Sequence, residues 1–116
     1  MTWTIWHNPR CSKSRQTLQL LQDKGIEPDV KLYLKSAPSA AEIETVLGLL
    51  DVEPRDLMRK KEAPFKELNL KNPDLTRGAL VAAMADNPVL IERPVVIRDD
   101  SAAALGRPPE NVLELI

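Results

Sequence analysis

Trp3-Thr4-Ile5-Trp6-His7-Asn8-Pro9-Arg10-Cys11-Ser12-Lys13-Ser14-Arg15 is the stretch that decides how this chain is read. Its first four residues alternate and are rich in aromatic and β-branched side chains, the signature of a short strand. Beyond it, Thr17 to Lys24 carries leucines at 18, 20 and 21 and stops at Gly25, which predicts a helix with a glycine at its C-terminus. Cys11, the only cysteine of the chain, therefore belongs to a loop between strand and helix, at or just before the first helical turn. Unpaired backbone N–H groups and the positive end of the helix dipole converge there on any anion. Arg10, Lys13 and Arg15 flank the sulfur in sequence, so the thiol is expected to ionise well below the ordinary value of about 8.5. Cations at a helix N-terminus oppose the dipole; two or three of them together imply an anion to be bound. The alternative is a small, inert, buried cysteine beside a solvated basic face. Strand-loop-helix placement and the charge cluster favour the reactive thiolate.

Outward from this stretch, the chain has the length of one domain, 116 residues, enough for a real core and too few for two. Charged residues make up 28% and apolar ones 43%, which excludes disorder. A formal net charge of −1 gives no bulk attraction to nucleic acid or to an acidic membrane. No apolar run approaches the roughly twenty residues of a membrane span, and no export signal is read at the N-terminus. Cys11 and His7 are the only strong soft ligands, whereas zinc asks for three or four, so no metal is expected. A single free thiol suits a reducing compartment, and the expected location is the cytoplasm.

Asp29 to Leu34 alternates polar and apolar and predicts a second strand, completing a βαβ unit with a right-handed crossover. Ser39-Ala40-Ala41-Glu42 is a capping-box pattern opening a helix whose apolar stripe is Ile43, Val46, Leu47 and Leu50. Pro54 opens a short helix expected to run to about Lys60-Lys61, and Ala63 to Leu70 is a short amphipathic segment broken by Asn72-Pro73. Thr76 to Asp86 predicts a helix with Leu80, Val81 and Met84 inward. Val95-Val96-Ile97 is the strongest strand by composition. Asp99-Asp100-Ser101 reads as a turn, and Ala102 to Leu105 as the returning arm of a hairpin. Pro109 opens a last helix with Val112, Leu113 and Ile116 inward. The pattern is β-α-β, a helical block, a β-hairpin and a final helix. It looks like an α/β thioredoxin-like fold with a mixed sheet, one domain over residues 1–116 with a helical insertion at about 39–87. Arg93-Pro94 stands where thioredoxin-like proteins place a proline after a cis peptide bond.

Four spaced motifs carry a family resemblance over essentially the whole chain. They are His7-Asn8-Pro9-x-Cys11 followed by Ser14-Arg15; Leu57-Met58-Arg59-Lys60; Leu90-Ile91-Glu92-Arg93-Pro94-Val95-Val96; and Gly106-Arg107-Pro108-Pro109-Glu110. Together they resemble the glutaredoxin-coupled arsenate reductases. The Cys-Ser-Lys-Ser-Arg loop and the Arg-Pro-Pro ending are similar to a bacterial subgroup, which departs from the best-known members at Ser12-Lys13, where those carry Gly-Thr. The resemblance implies that Cys11 is the nucleophile and that Arg59, Arg93 and Arg107 surround the arsenic oxyanion. Three guanidinium groups suit that task, since each is permanently charged and presents a planar fork of donors. His7 either tunes the thiol and orients the loop or is a structural residue at the end of the first strand. Ser14 either donates a hydrogen bond to the thiolate or caps the helix. Asn8 and Arg15 are expected as loop and anion contacts.

The chemistry implied begins with attack of the Cys11 thiolate on arsenate to form a covalent adduct. Reduction of As(V) to As(III) needs a second thiol, which this chain lacks, so glutathione is the expected co-substrate and glutaredoxin the expected partner that resolves the mixed disulfide. No bound cofactor is expected, and a monomer is the default. Arsenate reductases built on the phosphatase loop need an arginine six residues after the cysteine, where this chain has Thr17. Two rivals share the fold. One is a redox-responsive transcription regulator that binds RNA polymerase, typically with Cys-x-x-Cys where this chain has Ser14. The other is a glutathione-dependent thiol reductase that does not act on arsenate.

Overall fold

The alternation in Trp3–Trp6 produces the first strand, β1, and it places Ile5 and Trp6 fully out of solvent. A computed structural model describes residues 2–116 of the chain. Helix α1 follows at Ser12–Asp23 and ends where Gly25, at φ +80°, takes the left-handed conformation that glycine adopts without steric cost. Strand β2, Asp29–Lys31, lies parallel to β1 with Ile5 opposite Val30. It is half the length the alternation suggests. The N–H of His7 bonds to the carbonyl of Lys31, and there β1 runs out as its chain turns into the Cys11 loop. Without a partner strand the backbone must find other acceptors: Lys35 and Ser36 both donate to the carbonyl of Leu32, and the chain turns.

Strands β3, Val95–Arg98, and β4, Ala102–Leu105, form the hairpin. Asp99 and Asp100 sit at φ 53° and 55°, and Ser101 N–H bonds back to Arg98 O. Two successive left-handed residues give the turn whose twist matches that of the paired strands. The sheet order is β2-β1-β3-β4, with β1–β2 parallel and the other two pairs antiparallel. This is the mixed sheet of a thioredoxin-like α/β fold. On one face, Trp3, Ile5, Val96 and Ala104 pack with Leu21 of α1 and with Val112 and Leu115.

The last two belong to a terminal segment that departs from expectation. Pro109–Leu115 is a 3₁₀ helix, with Pro109, Val112 and Leu115 buried while Leu113 and Ile116 are exposed. Three residues per turn put positions three apart on one face, so the inward set is 109, 112 and 115.

By its contacts the chain divides into two compact units, one formed by the residues up to Ser36 with Arg93–Ile116, the other by Ala37–Glu92. The second unit is the helical one. Its α2, Ala40–Leu50, opens with the capping box: Glu42 N–H donates to Ser39 Oγ and Ser39 N–H donates to Glu42 Oε1. Ile43, Val46 and Leu47 are buried, whereas Leu50 is only half-buried. A 3₁₀ turn at Pro54–Leu57 stops short of Lys60 because the chain then enters an antiparallel bridge. Met58 faces Ile91, Arg59 N–H donates to Leu90 O, and Glu92 N–H donates to Leu57 O. Helix α3, Ala63–Glu67, is shorter than the amphipathic stretch, and α4, Arg77–Asp86, is capped by Thr76 and buries Leu80, Val81 and Met84.

Candidate active site

Cys11 is the N-cap residue of α1, three residues earlier than Ser14 and outside the run of leucines. Its backbone is extended (φ −91°, ψ 122°), and its carbonyl accepts the N–H of Arg15, starting the helix. The approach is a tight turn in which Cys11 N–H donates to Asn8 O and Arg10 N–H donates to Asn8 Oδ1. No side chain caps the helix. Its first N–H groups are therefore available to the sulfur, which stands where a capping oxygen usually does.

The electrostatics follow from that placement. Burial pushes the Cys11 thiol up. The backbone N–H of Ser14, the side chain of Arg93 by hydrogen bonding and by its charge, and the backbone N–H of Lys13 outweigh it, and the thiol ionises below its ordinary range. The cation that acts on the sulfur is thus Arg93, 82 positions along the chain, rather than the basic residues beside it in sequence. Arg15 donates to Pro9 O at 2.8 Å, strapping the loop, and Arg10 is exposed.

Ser14 is fully buried and its hydroxyl serves the loop: it accepts the Asn8 N–H at 3.1 Å and shares a 2.6 Å hydrogen bond with His7 Nδ1. Its backbone N–H acts on the thiol, and since it sits in the first turn of the helix, Cys11 rather than Ser14 is the cap residue. His7 is buried at the end of β1; burial first, and the Arg15 charge second, hold its pKa below the usual 6.5. The ring is neutral near pH 7 and ties strand to helix through Ser14.

The Arg93-Pro94 peptide bond is cis, and so is Arg107-Pro108, which nothing in the sequence distinguishes from the chain's other prolines. Pro94 is held by Gly106, whose N–H donates to Pro94 O at 2.9 Å. A side chain at Gly106 would collide with Thr17 Oγ1 and come within 2.7 Å of Pro94 Cγ. Gly106 and Thr17 are thus supporting residues that the sequence reading passed over; the glycine preceding Arg107 was the available signal. Arg93 Nε and Nη1 are shut off from solvent and make no hydrogen bond among the described residues. Arg107 is exposed and reaches the Arg93 carbonyl with Nη1 at 3.5 Å. The first unit therefore gathers Cys11, His7, Asn8, Ser14, Arg15, Arg93, Pro94 and Arg107. Arg59 belongs to the second unit, where it pairs with Glu62 at 2.9 Å.

A thioredoxin-like sheet with one ionisable thiol at the start of its first helix defines a class of thiol-chemistry proteins. Comparison with known proteins narrows it. The ArsC family model matches residues 6–115. An arsenate reductase of Haemophilus influenzae is 48% identical over 100% of both chains, and the uncharacterized protein YfgD of Escherichia coli K12 is 51% identical over 97% of this chain and 94% of its own. The solved structure of an arsenate reductase from Vibrio cholerae matches with a TM-score of 0.96 at 50% identity, covering 100% of this chain and 98% of that one. The chain belongs to the ArsC family.

Proposed function

We propose that this protein is an arsenate reductase that draws its second thiol from glutathione and is returned to the resting thiol by glutaredoxin. The observation that carries the reading is the Arg93 guanidinium beside Cys11, with two buried N–H-bearing nitrogens that have no hydrogen-bond partner among the described residues. Buried donors are ordinarily satisfied, and an oxyanion brought to the sulfur supplies acceptors for both.

In the reaction so proposed, the Cys11 thiolate attacks arsenic, an As–O bond breaks and the oxygen leaves as water, giving a sulfur–As(V) adduct. Arg93 and Arg107, and Arg59 by the family pattern, offset the charge on the remaining oxygens. A glutathione thiolate then attacks the Cys11 sulfur. The S–As bond breaks with its electron pair retained on arsenic, As(V) becomes As(III), and arsenite departs. A Cys11–glutathione disulfide remains, which glutaredoxin removes by thiol exchange. The second thiol must come from outside because Cys11 is the only cysteine. This chemistry suits a monomer in the reducing cytoplasm.

The test is arsenite production from arsenate with purified protein, glutathione and glutaredoxin, each omitted in turn. Turnover that requires all three supports the reading. Absence of arsenite with the full set contradicts it, and arsenite formed without an added thiol contradicts the assigned electron source.

A further inference from the structure

A hollow of about 290 Å³ opens on the far side of the Cys11 loop from Arg93's strand, bounded by the Asn8–Arg10 turn and by the turn from Leu32 to Lys35. It lies wholly within the first unit. Two features of the fold make it. The chain leaves β2 early and folds Lys35 back onto Leu32 O, while His7 N–H and Lys31 O pin the two turns side by side. Pro9, Leu32 and Leu34 give it an apolar lining, with Leu34 43% exposed. Arg10 and Lys35 stand at its rim, both exposed, and neither has an acidic partner among the described residues. The volume is at the lower end of small-molecule sites, about 300–1,000 Å³.

We infer that this hollow is the docking site of the external thiol, and that it selects a thiol carrying carboxylates, as glutathione does. The inference rests on the part of the proposed function that brings the second thiol from outside. Arg10 of the lining is covalently joined to Cys11, their Cα atoms about 3.8 Å apart, so a molecule seated against the Asn8–Arg10 turn touches the residue next to the nucleophile. Glutathione bears one carboxylate at each end and its thiol between them. Arg10 offers a planar fork to one carboxylate and Lys35 a point charge to the other. The uncharged stem rests on Pro9, Leu32 and Leu34. Access from this side leaves the Arg93 side of the sulfur to the oxyanion.

Disulfide exchange tests this without arsenate. The Cys11 thiolate attacks one sulfur of a symmetric disulfide, forming a mixed disulfide and releasing the other half as a thiolate. The rate is measured with oxidised glutathione and with neutral bis(2-hydroxyethyl) disulfide, and their ratio cancels any change in thiol reactivity. For the double variant Arg10→Glu/Lys35→Glu the ratio is expected to fall about fivefold or more, since two attractive contacts become repulsive. Lys24→Glu/Lys66→Glu makes the same change in net charge at two residues that do not line the hollow and should leave the ratio within about twofold of the unmodified protein. An unchanged ratio in the first variant, or an equal fall in both, overturns the inference. Either result leaves arsenate reduction untouched, while loss of arsenite production with the ratio intact removes the proposed function alone.

Discussion

His7 Nδ1 and Ser14 Oγ are 2.6 Å apart, both buried, and the same hydroxyl accepts the N–H of Asn8. One oxygen thus joins the end of β1, the loop and the first turn of α1. Replacing Ser14 by Ala strands a ring nitrogen and a backbone donor, and leaving a buried group unsatisfied costs about 1–3 kcal/mol. We expect Ser14→Ala to lower the denaturant midpoint by that free energy divided by an unchanged m-value. An unaltered midpoint would mean that water replaces the hydroxyl.

Protonation of His7 acts in one direction. Its folded pKa is depressed, so the unfolded chain binds the proton more readily, and the stabilisation present above about pH 6.5 is lost as pH falls through the folded value. Melting temperature should therefore decline on acidification from neutrality, and His7→Gln should melt with a shallower pH slope across that window. Parallel slopes would show that the carboxylates alone set the acid sensitivity.

The arginines are separable from lysine by shape. Arg93→Lys keeps a charge near Cys11 but loses the fork of donors, and a charged hydrogen bond is worth about 1.5–3 kcal/mol, roughly ten- to a hundredfold in rate. kcat/KM for arsenate should fall by that factor in Arg93→Lys and Arg107→Lys at unchanged melting temperature. Arg59→Lys reports on the third guanidinium, and its pairing with Glu62, about one-third exposed on both sides, contributes little to stability. Neutral kinetics in all three variants would remove the oxyanion role.

Gly106→Ala tests the support beneath the proline. The added methyl meets Thr17 Oγ1 and Pro94 Cγ, and overpacking of this kind costs about 1–3 kcal/mol. Thr17→Ala removes the nearer obstacle, so the double variant Thr17→Ala/Gly106→Ala should be more stable than the sum of the single losses. Strict additivity would mean that Pro94 alone is the obstacle.

Much of this architecture was legible locally. The aromatic and β-branched run of Trp3–Trp6 and the β-branched run at Val95 mark strands because β1 and β3 are the two central strands of the sheet, where most residues are buried whichever face they occupy. Ser39 and Glu42 mark a helix start because both halves of that cap lie within four residues. Cys11 stands just before the first turn of α1, as the strand before it and the leucines after it imply, but the helix begins at Ser12, ahead of the leucine run, because no side-chain capping bond marks that end. The spacing in the last segment assumed 3.6 residues per turn where the helix has three, and it exchanged Leu115 for Leu113 and Ile116. Strand β2 alternates past its end because length is set by β1, a different segment. The charge acting on Cys11 lies least within reach of local reading. Arg10, Lys13 and Arg15 are its neighbours in sequence, yet Arg93 is its neighbour in space, and only the family motif pointed there.

The most direct test of the account is a single turnover with stoichiometric arsenate and reduced glutathione, without glutaredoxin, followed by intact-protein mass measurement and peptide mapping. The account predicts one glutathione per chain, on Cys11, formed only when arsenate is present and matched by an equal amount of arsenite. Arsenite released with Cys11 unmodified, or arsenite formed undiminished by Cys11→Ser, would contradict it.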